Sequence, residues 1–450
     1  MANASTTPAE DPTDSDFAHR PVPESARSSW LSVTGVTVGV MGAMVFLQVP
    51  GDLGLHGGVA NTVIALVYAV VVAGVLATIL AVVAAGHGIN SNLISRGSGF
   101  GVAGSRITGL FYAANFIALA ATEGSIMAGG LHEWIPAVPL KVWMVVLTVI
   151  NIFLNWYGMA LLERFQKYSL PVYIALLVLA IVWAANTSGS GHGAPSGLSG
   201  QSIVTAIGVL NGIVALQALL TADYARFIKK PTLAKCAAVG FAPQVGSFLI
   251  VGCIGIWFAT RFDEPSPGVY LVMVMGGWGA LYTVVSQIRI NLINIYSGSL
   301  SLQATAASTG KYARGIWVSI TAVIALAAML GNVLGHLGDV LTFLGAFMFA
   351  WVSILFADIL FARTWRLGAA ADDWSASTER FDVGTGIALV AGATVGGVLA
   401  IGVDNWLLNA ISAFVAGGVA FVLHTVSAWL QRGRLDAGTT PAHDPVNVNQ

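Results

Sequence analysis

Charge avoids every long apolar stretch of this sequence but two, and that single pattern restricts the fold more than any motif does. The exceptions are Glu123, deep in GLFYAANFIALAATEGSIMAGG, and Arg289, deep in LYTVVSQIRINLINIYSGSL. Elsewhere the apolar runs are unbroken rather than alternating. About 20 apolar residues cross a bilayer as a helix, and only helices or closed barrels satisfy the backbone there. Unbroken runs favour helices over a barrel. With 56% hydrophobic and 9% charged residues, the chain is far more apolar than a soluble domain requires.

Twelve candidate spans follow, at about 31–54, 59–85, 106–130, 141–162, 168–187, 201–225, 234–259, 269–301, 315–335, 338–362, 383–403 and 406–430. The expectation is an all-α membrane protein with a transporter domain over 30–430. Its flanks are a polar, Pro-rich, acidic disordered tail over 1–28 and a second tail over 431–450. The first 28 residues lack the basic start and apolar core of a signal peptide. Lys and Arg set the orientation. With the N-terminus in the cytoplasm, inside segments hold 17 of the 20 basic residues, outside segments hold Lys141 and Arg261, and Arg289 is buried. Both termini are thus expected to be cytoplasmic.

GFGVAG at 99–104 fits the dinucleotide pattern, yet it lies between membrane helices and no βαβ unit surrounds it. The eight histidines show no metal-ligand spacing, and Cys236 and Cys253 offer no disulfide framework. No cofactor, no metal and no nucleic-acid partner is expected, and no nucleophile–base set points to an enzyme.

The first span carries Gly35, Gly39 and Gly42, followed by Gln48 and Pro50. The sixth carries Asn211-Gly212 in mid-span, with Gln217 beyond. Broken helices at corresponding places in two repeated halves mark transporter binding sites, and these spans are five apart. The other reading is that the glycines let helices pack closely; the pair of interruptions favours the binding site. In the third span, Phe116, Ala120 and Glu123 share one face. In the eighth, Gln287, Asn291 and Asn294 share one face and Arg289 points elsewhere. These spans are also five apart, so Glu123 and Arg289 are expected near one centre. They serve there either as a structural ion pair or in substrate binding and ion coupling.

Four stretches resemble the nucleobase–cation symporter-1 family, which includes cytosine, purine, allantoin and hydantoin permeases. They are Trp30 after a Pro- and Arg-containing tail, GHGINSNLISRGSGFGVAGS at 86–105, LLTADYARF at 219–227 and QIRINLINIYSGSLSL at 287–302. Phe356-Ala357-Asp358 also fits. The resemblance covers about 30–430. It implies a five-plus-five inverted repeat of APC-superfamily type (spans 1–5 over about 31–187, spans 6–10 over about 201–362), two extra helices over about 383–430, and alternating access. It also implies a substrate site between spans 1, 3, 6 and 8, drawing on Gly42, Gln48, Phe116, Asn211, Gly212, Gln217, Ser286, Gln287, Asn291 and Asn294. Asp223, Arg226 and Asp358 are structural in this reading. Two departures matter. Sodium-coupled members carry Ser or Thr where this chain has Arg289 and Ile290, and a fixed guanidinium repels Na⁺. Members binding cytosine or hydantoin carry Gln and Trp near the places of Phe116 and Leu119. The expected function is import of a nucleobase or related heterocycle by a monomer in the plasma membrane, coupled to H⁺ through Glu123. Sodium coupling, or an amino acid or amine as substrate, are the alternatives.

Overall fold

A membrane interior leaves the backbone no partner but itself, and the chain answers with helices almost throughout. The structure, a computed structural model, describes Phe17 and residues 20–156, 159–189, 191, 193–305, 314–374 and 381–436. Residues 1–16 of the first expected tail and 437–450 of the second lie outside the described residues.

In chain order the helices are α1 (Trp30–Val38), α2 (Val45–Gly57), α3 (Val59–His87), α4 (Ser91–Ser95), α5 (Gly101–Trp134), α6 (Leu140–Trp156), α7 (Met159–Asn186), α8 (Gly200–Ala225), α9 (Leu233–Gln244) and α10 (Gly252–Phe262). There follow α11 (Pro267–Met275), α12 (Gly277–Thr305), α13 (Arg314–Leu330), α14 (Leu337–Ala357), α15 (Arg363–Leu367), α16 (Val383–Ile401) and α17 (Trp406–Asp436). Among the described residues no strand occurs, only an isolated bridge between Ser28 and Ile228. Eight helical stretches are long and apolar enough to cross a membrane, and Leu140–Trp156 and Gly315–Leu330 are shorter apolar helices. The first and eighth expected spans fall outside both groups for a physical reason. A 3₁₀ turn at Gly39–Gly42 splits α1 from α2, and α12 carries Gln287, Arg289, Asn291 and Asn294 along its length. The chain is a multi-pass membrane protein.

Local chemistry sets the helix ends. The side chains of Ser29, Ser199, Thr232 and Asp382 each accept a backbone N–H at the start of α1, α8, α9 and α16. Gly58, at φ +96°, turns the chain between α2 and α3, a conformation few other residues tolerate. Pro243 near the end of α9 is followed by a π-helical turn over Val245–Val251, so α9 and α10 form one bent rod.

Helices five spans apart lie against one another: α5 along α12, α3 along α9, α6 along α13, and α1 and α2 against α8. That is the pairing of two repeated halves. One apolar core is centred on α1–α3, α8–α10 and α14 and takes in residues of α5, α7, α11, α12, α16 and α17. A second joins α5, α6, α12 and α13. α16 and α17 pack on α14, outside the repeats.

Two expectations are corrected. The sixth span is not broken: α8 runs without interruption through Asn211-Gly212. Gly212 serves close packing instead, since a Cβ there would stand 2.3 Å from the backbone oxygen of Leu341 in α14. Asn211 is occupied as well, its Oδ1 accepting from the Tyr68 hydroxyl at 2.6 Å. The second correction concerns 20–28, expected to be disordered with the rest of the tail. Val22 is buried and donates its N–H to Gly88 O, Arg27 Nη1 donates to Ala85 O, and Ser28 exchanges backbone bonds with Phe227 and Lys229. The segment therefore straps the end of α3 to the exit of α8, because backbone carbonyls left over at two helix ends need donors.

The packing yields a prediction. Gly212→Ala overpacks the α8–α14 contact and costs about 1–3 kcal/mol, whereas Gly35→Ala, with nothing within 4 Å of its Cβ, is neutral or stabilising. Thermal unfolding in detergent checks both, and equal melting temperatures for the two variants contradict this packing role.

Candidate functional site

The break between α1 and α2 creates the site. A helix that restarts inside the bundle exposes backbone N–H groups carrying the positive end of its dipole. No side chain of its own segment caps α2. Glu123 of α5 does so: Val45 N donates to Oε1 at 3.1 Å. The other carboxylate oxygen, Oε2, accepts from Gln287 Nε2 of α12 at 2.5 Å, and the same amide nitrogen lies 3.2 Å from Glu123 O. Glu123 is fully buried. One carboxylate thus joins the broken first span, the third and the eighth.

The upstream side of the break is tied to α12 as well. Ser286 Oγ donates to Gly42 O at 2.7 Å. The Tyr173 ring of α7 packs against Gly42. Arg289 lies across from this ring, its guanidinium carbon 5.7 Å from the centroid, and its Nη1 donates to Ser169 Oγ at 2.7 Å. The two membrane charges therefore take different neighbours: Glu123 the start of α2, Arg289 the face of α7.

Beside the break lies a central cavity of about 30 Å³, room for about two water-sized spheres. Val45, Phe46, Phe116, Leu119, Ile213 and Leu216 form apolar walls; Glu123, Gln217 and Asn294 supply the polar lining. Among the described residues, Gln217 Nε2 and Asn294 Nδ2 have no hydrogen-bond partner. A buried donor without a partner is costly, so these two amides are the groups with hydrogen-bonding capacity left for a ligand. As it stands the cavity is too small for a ring-sized molecule, and the structure is closed around it.

Of the residues singled out in the sequence, Phe116, Glu123, Gln217 and Asn294 line this cavity, and Gln287, Ser286 and Gly42 brace it. Gln48 is buried in α2 with Oε1 unpartnered among the described residues. Asn291 lies beside Gly124 and is not part of the cavity lining. Asn211 and Gly212 serve packing, as above.

Asp223 and Asp358 are each the centre of a separate buried network. Asp223 Oδ1 accepts from Ser91 N at 2.8 Å and Ser91 Oγ at 2.7 Å, and Oδ2 accepts from the Tyr112 hydroxyl at 2.9 Å. Arg226 Nε closes back onto Asp223 O. Asp358 pairs with Arg366 at 2.9 Å and with Arg363 at 3.8 Å, and His424 lies 3.4 Å away. Arg363 and Arg366 also donate to Gly97 O, which ties the 86–105 segment to α14, α15 and α17.

Sequence reasoning missed the Val45 N–H, a backbone group with no residue signature, and the pair Ser169 and Tyr173, whose region reads only as apolar helix. The glycines at 35, 39 and 42 were the signal for the former; nothing marked the latter.

No protein-family model matches the chain, and no curated protein matches it. Solved structures do. An inward-facing structure of Mhp1 superposes with a TM-score of 0.72 at 18% identity, covering 94% of this chain and 97% of the other. Mhp1 in a closed conformation with bromovinylhydantoin bound, described as a nucleobase-cation-symport-1 family transporter, gives 0.68 at 18% identity over 94% and 96%. A substrate-bound, outward-open Na⁺-coupled sialic acid symporter gives 0.61 at 12% identity over 93% and 92%. The chain has the fold of these transporters, with two extra helices after the five-plus-five repeat.

The capping geometry predicts a stability order. Glu123→Leu strands the Val45 N–H and the Gln287 amide in a dry interior, at about 1–3 kcal/mol for each stranded group. Glu123→Gln keeps an acceptor for Val45 and costs less. Melting temperatures in detergent read the difference; a leucine variant as stable as the glutamine variant contradicts the cap.

Proposed function

We propose that this chain is a secondary transporter of the nucleobase–cation symporter-1 type, importing a nucleobase or related heterocycle by alternating access and driven by protons. The observation that carries this reading is the Glu123 carboxylate at the start of α2, set in the wall of a cavity with aromatic and apolar sides and two free amides. A flat heterocycle offers a ring face to Phe116 and polar edges to Gln217 and Asn294. The transporter fold and the family-like stretches at 86–105, 219–227 and 287–302 support the same assignment.

Glu123 carries the proton in this scheme. Among the described residues it is the one carboxylate on the cavity wall, and it contacts both the broken helix and α12. Protonation removes the charge that holds the start of α2, so the load state of one residue bears on the geometry of three helices. Arg289 takes the part of a fixed cation beside the break, held by Ser169 and Tyr173, and transport needs no sodium. The chain crosses the plasma membrane twelve times, with both termini in the cytoplasm and the basic residues concentrated there; it acts as a monomer without a cofactor.

An amino acid as substrate fits less well. Transporters of this architecture can hold a substrate carboxylate on the start of a half-helix, and here Glu123 already occupies that position.

The test is uptake of labelled nucleobases into proteoliposomes under an imposed pH gradient. Accumulation without sodium is expected, unchanged by added Na⁺. Uptake rising steeply with Na⁺ at fixed pH contradicts the role of Arg289. Glu123→Gln is expected to abolish accumulation against a gradient while sparing exchange, and retained pH-driven accumulation contradicts the proton-carrier role. No uptake of any base, with or without sodium, overturns the substrate class.

A further inference from the structure

We propose that Asp223, Tyr112 and Ser91 form the cytoplasmic latch of the central cavity, a closure that opens to release substrate inward. The inference rests on the transport reading and on its orientation, and deepens both by naming the contact that must break.

The latch joins elements that belong to different parts of the bundle. Asp223 sits at the end of α8, which packs on α3 and α14. Tyr112 lies on α5, which packs on α12 and α13. The carboxylate spans that boundary, one oxygen on the Tyr112 hydroxyl and the other on the N–H and hydroxyl of Ser91, in the segment joining α3 to α5. Each is a hydrogen bond to a charged acceptor, and such bonds are the strong kind.

Its position relative to the cavity is what assigns the role. Leu220 lines the cavity and precedes Asp223 by three residues; Phe116 lines it and follows Tyr112 by four. On both helices the latch therefore lies one turn, about 5.4 Å, beyond the cavity wall, on the side that the basic residues mark as cytoplasmic. Tyr112 also meets the Phe116 ring edge-on at 4.8 Å and Trp351 of α14 at 5.7 Å. Trp351 Nε1 donates in turn to Ser95 Oγ at 3.0 Å. A ligand that displaces Phe116 thus presses on the ring whose hydroxyl closes the latch.

The bundle side of the latch is held in place. Residues 20–28 strap α3 to the exit of α8, and Arg226 binds both Asp223 O and Phe17 O. Across the boundary, α5 meets this side through ring contacts, Tyr112 on Trp351 and Phe111 on Phe347, and through the hydrogen bond of Tyr112 to the Asp223 carboxylate, which is the polar contact that must break.

The test needs no substrate, so its failure and the failure of the transport reading are distinguishable. In a Cys236→Ala, Cys253→Ala background, Leu220→Cys reports access to the cavity. A membrane-impermeant maleimide is applied to the cytoplasmic face of inside-out vesicles and the labelling rate measured. Tyr112→Phe deletes only the hydroxyl, and Asp223→Asn only the charge. Each is expected to raise the rate about tenfold, the population shift that loss of one bond to a charged group produces. Ser91→Ala is expected to act in the same direction and serves where either variant does not fold. Melting temperatures are taken in parallel: a lowered melting temperature with an unchanged or slower labelling rate in the folded variants overturns the latch and leaves these residues as packing.

Discussion

The structure depends on one hydrogen-bonded contact, the carboxylate of Glu123 on the backbone N–H of Val45. A helix that breaks inside a membrane bundle must find partners for the groups it frees. The first span breaks at Gly39–Gly42, and the helix that resumes at Val45 has no cap of its own. Glu123 supplies one from α5, and Gln287 of α12 holds the carboxylate in place. Ser286 does the corresponding work upstream, on Gly42 O. The cavity lies beside this junction, and its polar lining includes the same carboxylate. The break, the brace and the cavity form one arrangement.

The remainder of the fold packs closely around that junction. Small residues bring helix backbones close, as where Gly212 meets Leu341 and where Gly255 meets Leu47. The two apolar cores meet along α5 and α12, each of which contributes residues to both. At the basic end, buried networks centred on Asp223 and Asp358 cross between elements. Buried charge of this kind holds specific geometry, since each partner removed leaves another uncompensated. Arg289 belongs to the same logic on the α7 side, placed on Ser169 and Tyr173 rather than on Glu123.

Much of this was legible before any coordinates. Glu123 and Arg289 stood out because they lie deep in long apolar runs, away from the ends where other charges sit, and helical spacing put Phe116 on the face of Glu123 and turned Arg289 away from Gln287. The glycines of the first span marked its break correctly. The Asn211-Gly212 pair misled, because a glycine that permits a break and one that permits close packing look alike in sequence, and only the Leu341 backbone against Gly212 decides. The strap over 20–28 was missed because its composition is that of a disordered tail, while its stability comes from carbonyls at two distant helix ends. The bond between Tyr112 and Asp223 joins residues 111 apart in the chain, and no local pattern encodes it.

The proposed transport cycle requires that a proton on Glu123 and a heterocycle in the cavity be bound together. This linkage is read from the pH dependence of the dissociation constant for a nucleobase that binds the protein, in detergent and without sodium, for the wild type and for Glu123→Gln. If Glu123 is the linked site, wild-type affinity tightens as pH falls, approaching tenfold per pH unit where the site titrates, and the variant's affinity is flat over the same range. A wild type with no pH dependence, or a variant that keeps the wild-type slope, contradicts the account.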